Sequence, residues 1–80
     1  MTGPHVKQAD TDWRQVGSIH GEKYNVWFRC LNGNYLCVSK GEVTGRWYKT
    51  VNCSNRGSVK KFETAKAHCE REANGKGDAW

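Results

Sequence analysis

Apolar and aromatic residues along this chain fall into three short blocks separated by turn-forming residues, a pattern that predicts strands. The densest block, Tyr24 to Leu31 (YNVWFRCL), is too short and too rich in β-branched and aromatic side chains for a helix. Asn32-Gly33-Asn34 follows as the strongest local turn signal, and Tyr35 to Lys40 (YLCVSK) continues as a second strand of a hairpin. Gly41 to Gly45 supplies the next turn, Arg46 to Cys53 (RWYKTVNC) a third strand, and SNRGS a polar break. Upstream, WRQVGSIHG reads as a short extended lead-in. Downstream, KKFETAKAHCEREANGKG reads as one helix, with Thr64 as its cap, Ala65, Cys69 and Ala73 recurring every fourth residue, and Gly75 ending it. The predicted fold is α+β, a three-stranded antiparallel β-meander packed on one C-terminal helix (βββα). It occupies residues 13–74, between tails at 1–12 and 75–80.

The hairpin register decides which side chains are buried. In a three-residue loop with Asn34 left-handed, Phe28 lies beside Val38 and Cys30 beside Leu36. A two-residue loop puts Cys30 and Cys37 on one face and sends Leu36 and Val38 to join Trp27 and Arg29. The first register gives the more coherent core: Val26, Phe28, Cys30, Leu36, Val38, Trp47, Val51 and Cys53 beneath Ala65 and Cys69. It excludes a Cys30–Cys37 bridge and presents Cys37 to solvent.

Eighty residues make one domain with a small core. With 36% apolar and 11% aromatic residues the chain is too rich in large side chains to be disordered throughout. No run of eighteen apolar residues occurs, and MTGPHVKQADTDW lacks a basic start followed by an apolar segment, so the expectation is a cytoplasmic protein with no membrane span. Cys30, Cys37, Cys53 and Cys69 permit disulfides in an oxidising setting but include no CxxC pair for structural zinc. Buried thiols without a cofactor are the reading adopted.

Charge is unevenly placed. Lys23 to Lys61 holds eight basic residues and one acid, Glu42, whereas the remainder holds five basic and seven acidic residues. On the preferred register the outward sheet face carries Trp27, Arg29, Tyr35, Arg46, Tyr48 and Thr50. Basic groups displace counterions from phosphates while aromatic rings stack on bases, so this face predicts a nucleic-acid interface of Trp27, Arg29, Tyr35, Arg46, Tyr48, Lys23, Lys40 and Lys49. Duplex DNA is the expected partner, and a host protein bound by the same face is the alternative. The assignment requires Trp27 and Arg29 to point away from the helix.

Three strands followed by a helix opening with Phe62-Glu63-Thr64-Ala65 resemble the AP2 domain and the amino-terminal arm-binding domain of tyrosine integrases, over Tyr24 to Ala73. The resemblance implies a three-stranded sheet reading the DNA major groove, with Trp27, Arg29, Tyr35, Arg46 and Tyr48 on its DNA side. Size, charge and cysteine-tryptophan usage also resemble accessory proteins of phages and mobile elements, some of which bind host proteins. No catalytic constellation is apparent. His68 and Cys69 are helical neighbours whose side chains diverge by about 100°, and Gly41, Gly45 and Gly57 lack phosphate-loop spacing. The chain is therefore expected not to be an enzyme.

Overall fold

Two asparagine-led turns set the architecture. Asn32 (φ 51°) and Gly33 (φ 77°) both lie in the left-handed region, as a two-residue type I′ turn requires, and Leu31 pairs directly with Asn34. Asn52 (φ 52°) and Cys53 (φ 67°) repeat the arrangement, with Val51 opposite Ser54. Asn52 also ties the turns together. Its Oδ1 accepts from the Tyr35 amide at 2.9 Å and its Nδ2 donates to Asn34 Oδ1 at 2.9 Å.

The computed structural model describes residues 9–75. Its elements are β1 (Arg14–Gly17), β2 (Lys23–Leu31), β3 (Asn34–Lys40), β4 (Trp47–Val51), β5 (Ser54–Val59) and α1 (Phe62–Ala73). The strands form one antiparallel sheet in sequence order. The fold is α+β with a C-terminal helix as predicted, but the sheet has five strands, not three. The extended lead-in is an edge strand on β2, and the polar break after β4 is the other edge. An edge strand has only one paired side and little core contact, so SNRGSV folds as a strand with only Ser58 and Val59 half-buried. The tight Asn52-Cys53 turn delivers it to β4.

The hairpin register is likewise the two-residue alternative. Trp27 pairs with Val38 and Arg29 with Leu36, so both join the side that α1 covers. The core there is Leu31, Leu36, Val38 and Val51 against Ala65, Cys69 and Ala73, with Trp13, Trp47, Val59 and Phe62 packed at its margin. Val26, Phe28 and Cys30 face the other way, and Cys53 sits exposed in a turn, which removes all four from the predicted core. Cys30 is nonetheless buried at the sheet margin, where its amide donates to Thr11 Oγ1 at 3.0 Å and its carbonyl accepts from the Thr11 amide at 2.9 Å. Thr11 thus bonds to β2 and Asp10 accepts from the Asn32 amide in the following turn, while residues 1–8 and 76–80 of the predicted tails lie outside the described residues.

Alanine and cysteine at every fourth position give α1 a low-relief face that seats closely on Leu36 and Val38. The helix begins two residues earlier than the predicted cap. Lys61 is the N-cap and supplies no side-chain bond, while Thr64 lies within the first turn. Gly75, at φ 80°, takes the left-handed position that ends the helix, its amide donating to the Glu72 carbonyl.

Truncation tests the register directly. Leu36→Ala should cost about 3 kcal/mol by creating a core cavity, and Trp27→Ala should also destabilise clearly. Tyr35→Ala, on the other face, should cost under about 1 kcal/mol. Urea denaturation of the three variants gives the ranking, and a larger loss at Tyr35 than at Trp27 would contradict the observed faces.

Candidate binding face

On the covered face, α1 meets basic groups of the sheet with its own side chains. The Arg29 guanidinium pairs with the Glu70 carboxylate and donates through Nε to the Thr11 carbonyl at 2.7 Å. Trp13 Nε1 donates to the same Glu70 oxygen at 2.9 Å. Arg56, on β5, bonds both carboxylate oxygens of Glu72, at 2.9 and 3.1 Å. Lys49 is only 3% exposed, and its ammonium donates to His68 Nδ1 at 2.9 Å. Trp27 and Trp47 complete the layer against Phe62, with ring centroids 5.3 and 4.5 Å away.

The other face has no described element on it. Cross-strand pairing aligns Arg14, Phe28, Cys37, Thr50 and Asn55 in one row across all five strands. Val26, Ser39, Tyr48 and Ser58 form the next row, and Cys30 with Tyr35 a third. Phe28 and Tyr35 lean together with centroids 6.0 Å apart. Tyr24 and Tyr35 are 45% and 43% exposed, large rings left in water among Arg14, Ser39, Thr50, Asn55 and Ser58. Tyr48 lies over Gly41, where a Cβ would meet the ring at 2.6 Å, and its hydroxyl is 3.0 Å from Thr44 Oγ1. Gly41 is therefore required for the ring to lie flat on the β3–β4 turn. Arg46 is held beside Ser58, its Nε donating to Oγ at 2.8 Å and its Nη2 to the carbonyl at 3.1 Å.

These positions sort the predicted interface residues into two groups. Tyr35, Arg46 and Tyr48 lie on the open face, whereas Trp27 and Arg29 are engaged by α1 and Lys49 is buried under it. Lys23 and Lys40 are exposed at strand ends but alternate onto the covered side, opposite Gly17 and Trp47 respectively. The two-sided ribbon predicted from the three-residue loop is thus not formed, because an asparagine-glycine pair closes the shorter turn and a single-residue slip exchanges the faces. Arg14, Tyr24, Val26 and Phe28 are open-face residues that the sequence did not place there, whereas Cys37 lies outside the core as expected. The Asn-Gly pair was the signal that could have found them.

Two of the four thiols, Cys30 and Cys37, lie on this face. Burial pushes the Tyr35 phenol above its ordinary value, and Cys37, Cys30 and Cys53 add in the same direction. Burial likewise raises the Cys37 thiol, against a lowering bond with Thr50, and raises Cys69 under the helix to about 11. All four cysteines are free, and no group of three or more His, Cys, Asp or Glu side chains among the described residues is placed to hold a metal ion. No helix among the described residues is long and apolar enough to cross a membrane. Neither a family model, nor a curated protein, nor a solved structure matches this chain.

Alkylation of the folded protein should proceed fastest at exposed Cys53, more slowly at Cys37, and at Cys69 only upon unfolding. Mass spectrometry of a timed iodoacetamide reaction reads the order, and early modification of Cys69 would contradict its burial. A second outcome concerns pH. Burial, then Lys49 and Arg71, hold His68 below its ordinary 6.5. The unfolded chain takes up this proton first, so stability should fall as pH drops through 6.5 and level off below the folded-state value. Cys69 and Glu72 also face Lys49, but Cys69 stays a thiol here and Glu72 is held by Arg56. Melting curves between about pH 7.5 and 5.5 should show this slope, and His68→Gln should flatten it; an unchanged slope in the variant would refute the assignment.

Proposed function

We propose that this chain is a non-catalytic binding module whose open sheet face docks onto another protein. The composition of that face carries the reading: Tyr24, Phe28, Tyr35 and Tyr48 with Val26, two cysteines and two arginines among small polar residues, and no lysine, aspartate or glutamate at its described strand positions. Aromatic residues and arginine are enriched, and lysine and acids depleted, in the cores of protein interfaces.

Magnitudes favour a protein over duplex DNA. Five strands at about 4.8 Å spacing span about 19 Å, wider than the roughly 12 Å major groove. Two guanidinium groups would contribute a salt slope of only about −2, whereas strong duplex binders neutralise some 6–10 phosphates. A nucleic-acid reading keeps one observation in its favour. The five strands contain Arg14, Lys23, Arg29, Lys40, Lys49 and Arg56 and no acidic residue. On that second reading Tyr35, Tyr48 and Arg46 would receive unpaired bases, as open aromatic sheets do.

A photo-crosslinking residue at Phe28, compared with one at exposed Ala67 on α1, separates the classes in native cells. The expected result is an adduct specific to position 28 that protease destroys and nuclease leaves intact. A nuclease-sensitive adduct would select the second reading, and equal yields at both positions would overturn docking through the open face.

A further inference from the structure

The two faces of the sheet treat their arginines differently. On the covered side, Arg29 and Arg56 each meet a helix carboxylate, Glu70 and Glu72. On the open side, Arg14 and Arg46 meet none. Arg14 is exposed and takes no hydrogen-bond partner among the described residues. Arg46 is oriented by Ser58 through Nε and Nη2, leaving Nη1 without a partner among the described residues. A guanidinium fixed along one side and open on the other is preorganised to receive a carboxylate.

From this we infer that the occupant of the open face is an acidic segment of another protein, with an apolar stripe seated on Phe28 and Tyr35 and carboxylates reaching Arg14 and Arg46. The inference rests on the docking reading above and specifies the partner's chemistry. It assigns the partner the role that α1 plays on the opposite side: apolar contact at the centre and carboxylates at the flanks. Arg14 shares a row with Thr50, and Arg46 lies four residues before Thr50, immediately ahead of β4, the strand three places from β1. The two guanidinium attachment points are therefore about 20 Å apart, diagonal across the face. At a rise of about 1.5 Å per residue, that distance is some 13 residues of helix, so one amphipathic helix can reach both. A second copy of this chain fits worse, because it would bring the same acid-free surface, and two arginines, against its own image.

The probes are two synthetic amphipathic helical peptides of about 18 residues with identical leucine faces, one flanked by glutamates and one by lysines, together with a twelve-thymidine oligonucleotide. Amide chemical shifts of the isotopically labelled protein report where each binds. The glutamate peptide should perturb Val26, Phe28, Tyr35 and Cys37, and the lysine peptide should not. Arg14→Glu and Arg46→Glu should each weaken the glutamate peptide about two- to fivefold, the range of an exposed ion pair, and the double variant should turn the preference toward the lysine peptide. Arg14 has no internal partner, so Arg14→Glu alone keeps the test valid if the Arg46 change disturbs the fold. Equal binding of both peptides at the open face would leave docking standing and overturn the acidic partner. Binding of the oligonucleotide there in place of the glutamate peptide would overturn both, and absence of shifts with either peptide at millimolar concentration would overturn the acidic partner.

Discussion

The structure depends on the two-residue turn at Asn32-Gly33. Left-handed φ at both positions matches the twist of the flanking strands, and glycine adopts it without steric cost while asparagine tolerates it. Once Leu31 pairs with Asn34, alternation places every β2 and β3 side chain, and pairing with β4 carries the same phase across the sheet. Lengthening the loop by one residue would put Phe28 beneath the helix and Arg29 in water. The choice of faces is made by backbone geometry at two residues before any side-chain packing selects it.

A consequence of this register is that the sheet sets cations on the helix side, Lys49 buried, Arg29 half-buried and Arg56 exposed. Arg29, Lys49 and Arg56 alternate onto the helix side, and α1 offers only Ala65, Cys69, Ala73 and Phe62 as apolar contacts. Small side chains remove little apolar area from water, and at about 25 cal/mol per Å² they fasten a helix weakly. Glu70, Glu72 and His68 answer the three cations one for one. Pairs of this kind lose much of their Coulombic gain to desolvation, so their net contribution is modest. Their geometric effect is larger. A helix shifted by one residue would rotate Glu70 away from Arg29 and Trp13 together, and leave a buried lysine facing a different side chain. Alanine-sized contacts bring α1 close, and the charged layer fixes where along the sheet it sits.

What the sequence made legible follows from signal strength. Strands β2 and β3 stood out because aromatic and β-branched residues are dense there, and α1 because Ala65, Cys69 and Ala73 keep a helical spacing. Strand β5 did not, since SNRGSV carries one large apolar residue and an edge position asks for no more. The faces were misassigned by an ordinary preference for placing arginine and lysine outside. Applied to Arg29 and Lys49, that preference outweighed the turn chemistry, although carboxylates at positions 70 and 72 were available on the helix to receive cations. Tyr35, Arg46 and Tyr48 stand on the open side, as the preferred register also expects, because they alternate with Leu36, Val38, Trp47 and Val51, which pack under the helix.

Small domains expose aromatic rings for want of depth, so exposed tyrosines alone would carry little meaning. The distribution of charge is harder to attribute to size. Strands disfavour aspartate and glutamate, but they disfavour lysine as well, and three lysines and three arginines stand in strands that hold no acid. Intrinsic propensity therefore does not explain the asymmetry. On the helix side Arg29 and Arg56 are paired internally with Glu70 and Glu72, which the same chain supplies later in its sequence. The open side keeps an apolar centre and two arginines, with no carboxylate among its described strand positions, and this is the surface that the proposed acidic partner would complement. The proposed partner would repeat on the open face what α1 does on the covered one, apolar contact at the centre with carboxylates meeting arginines.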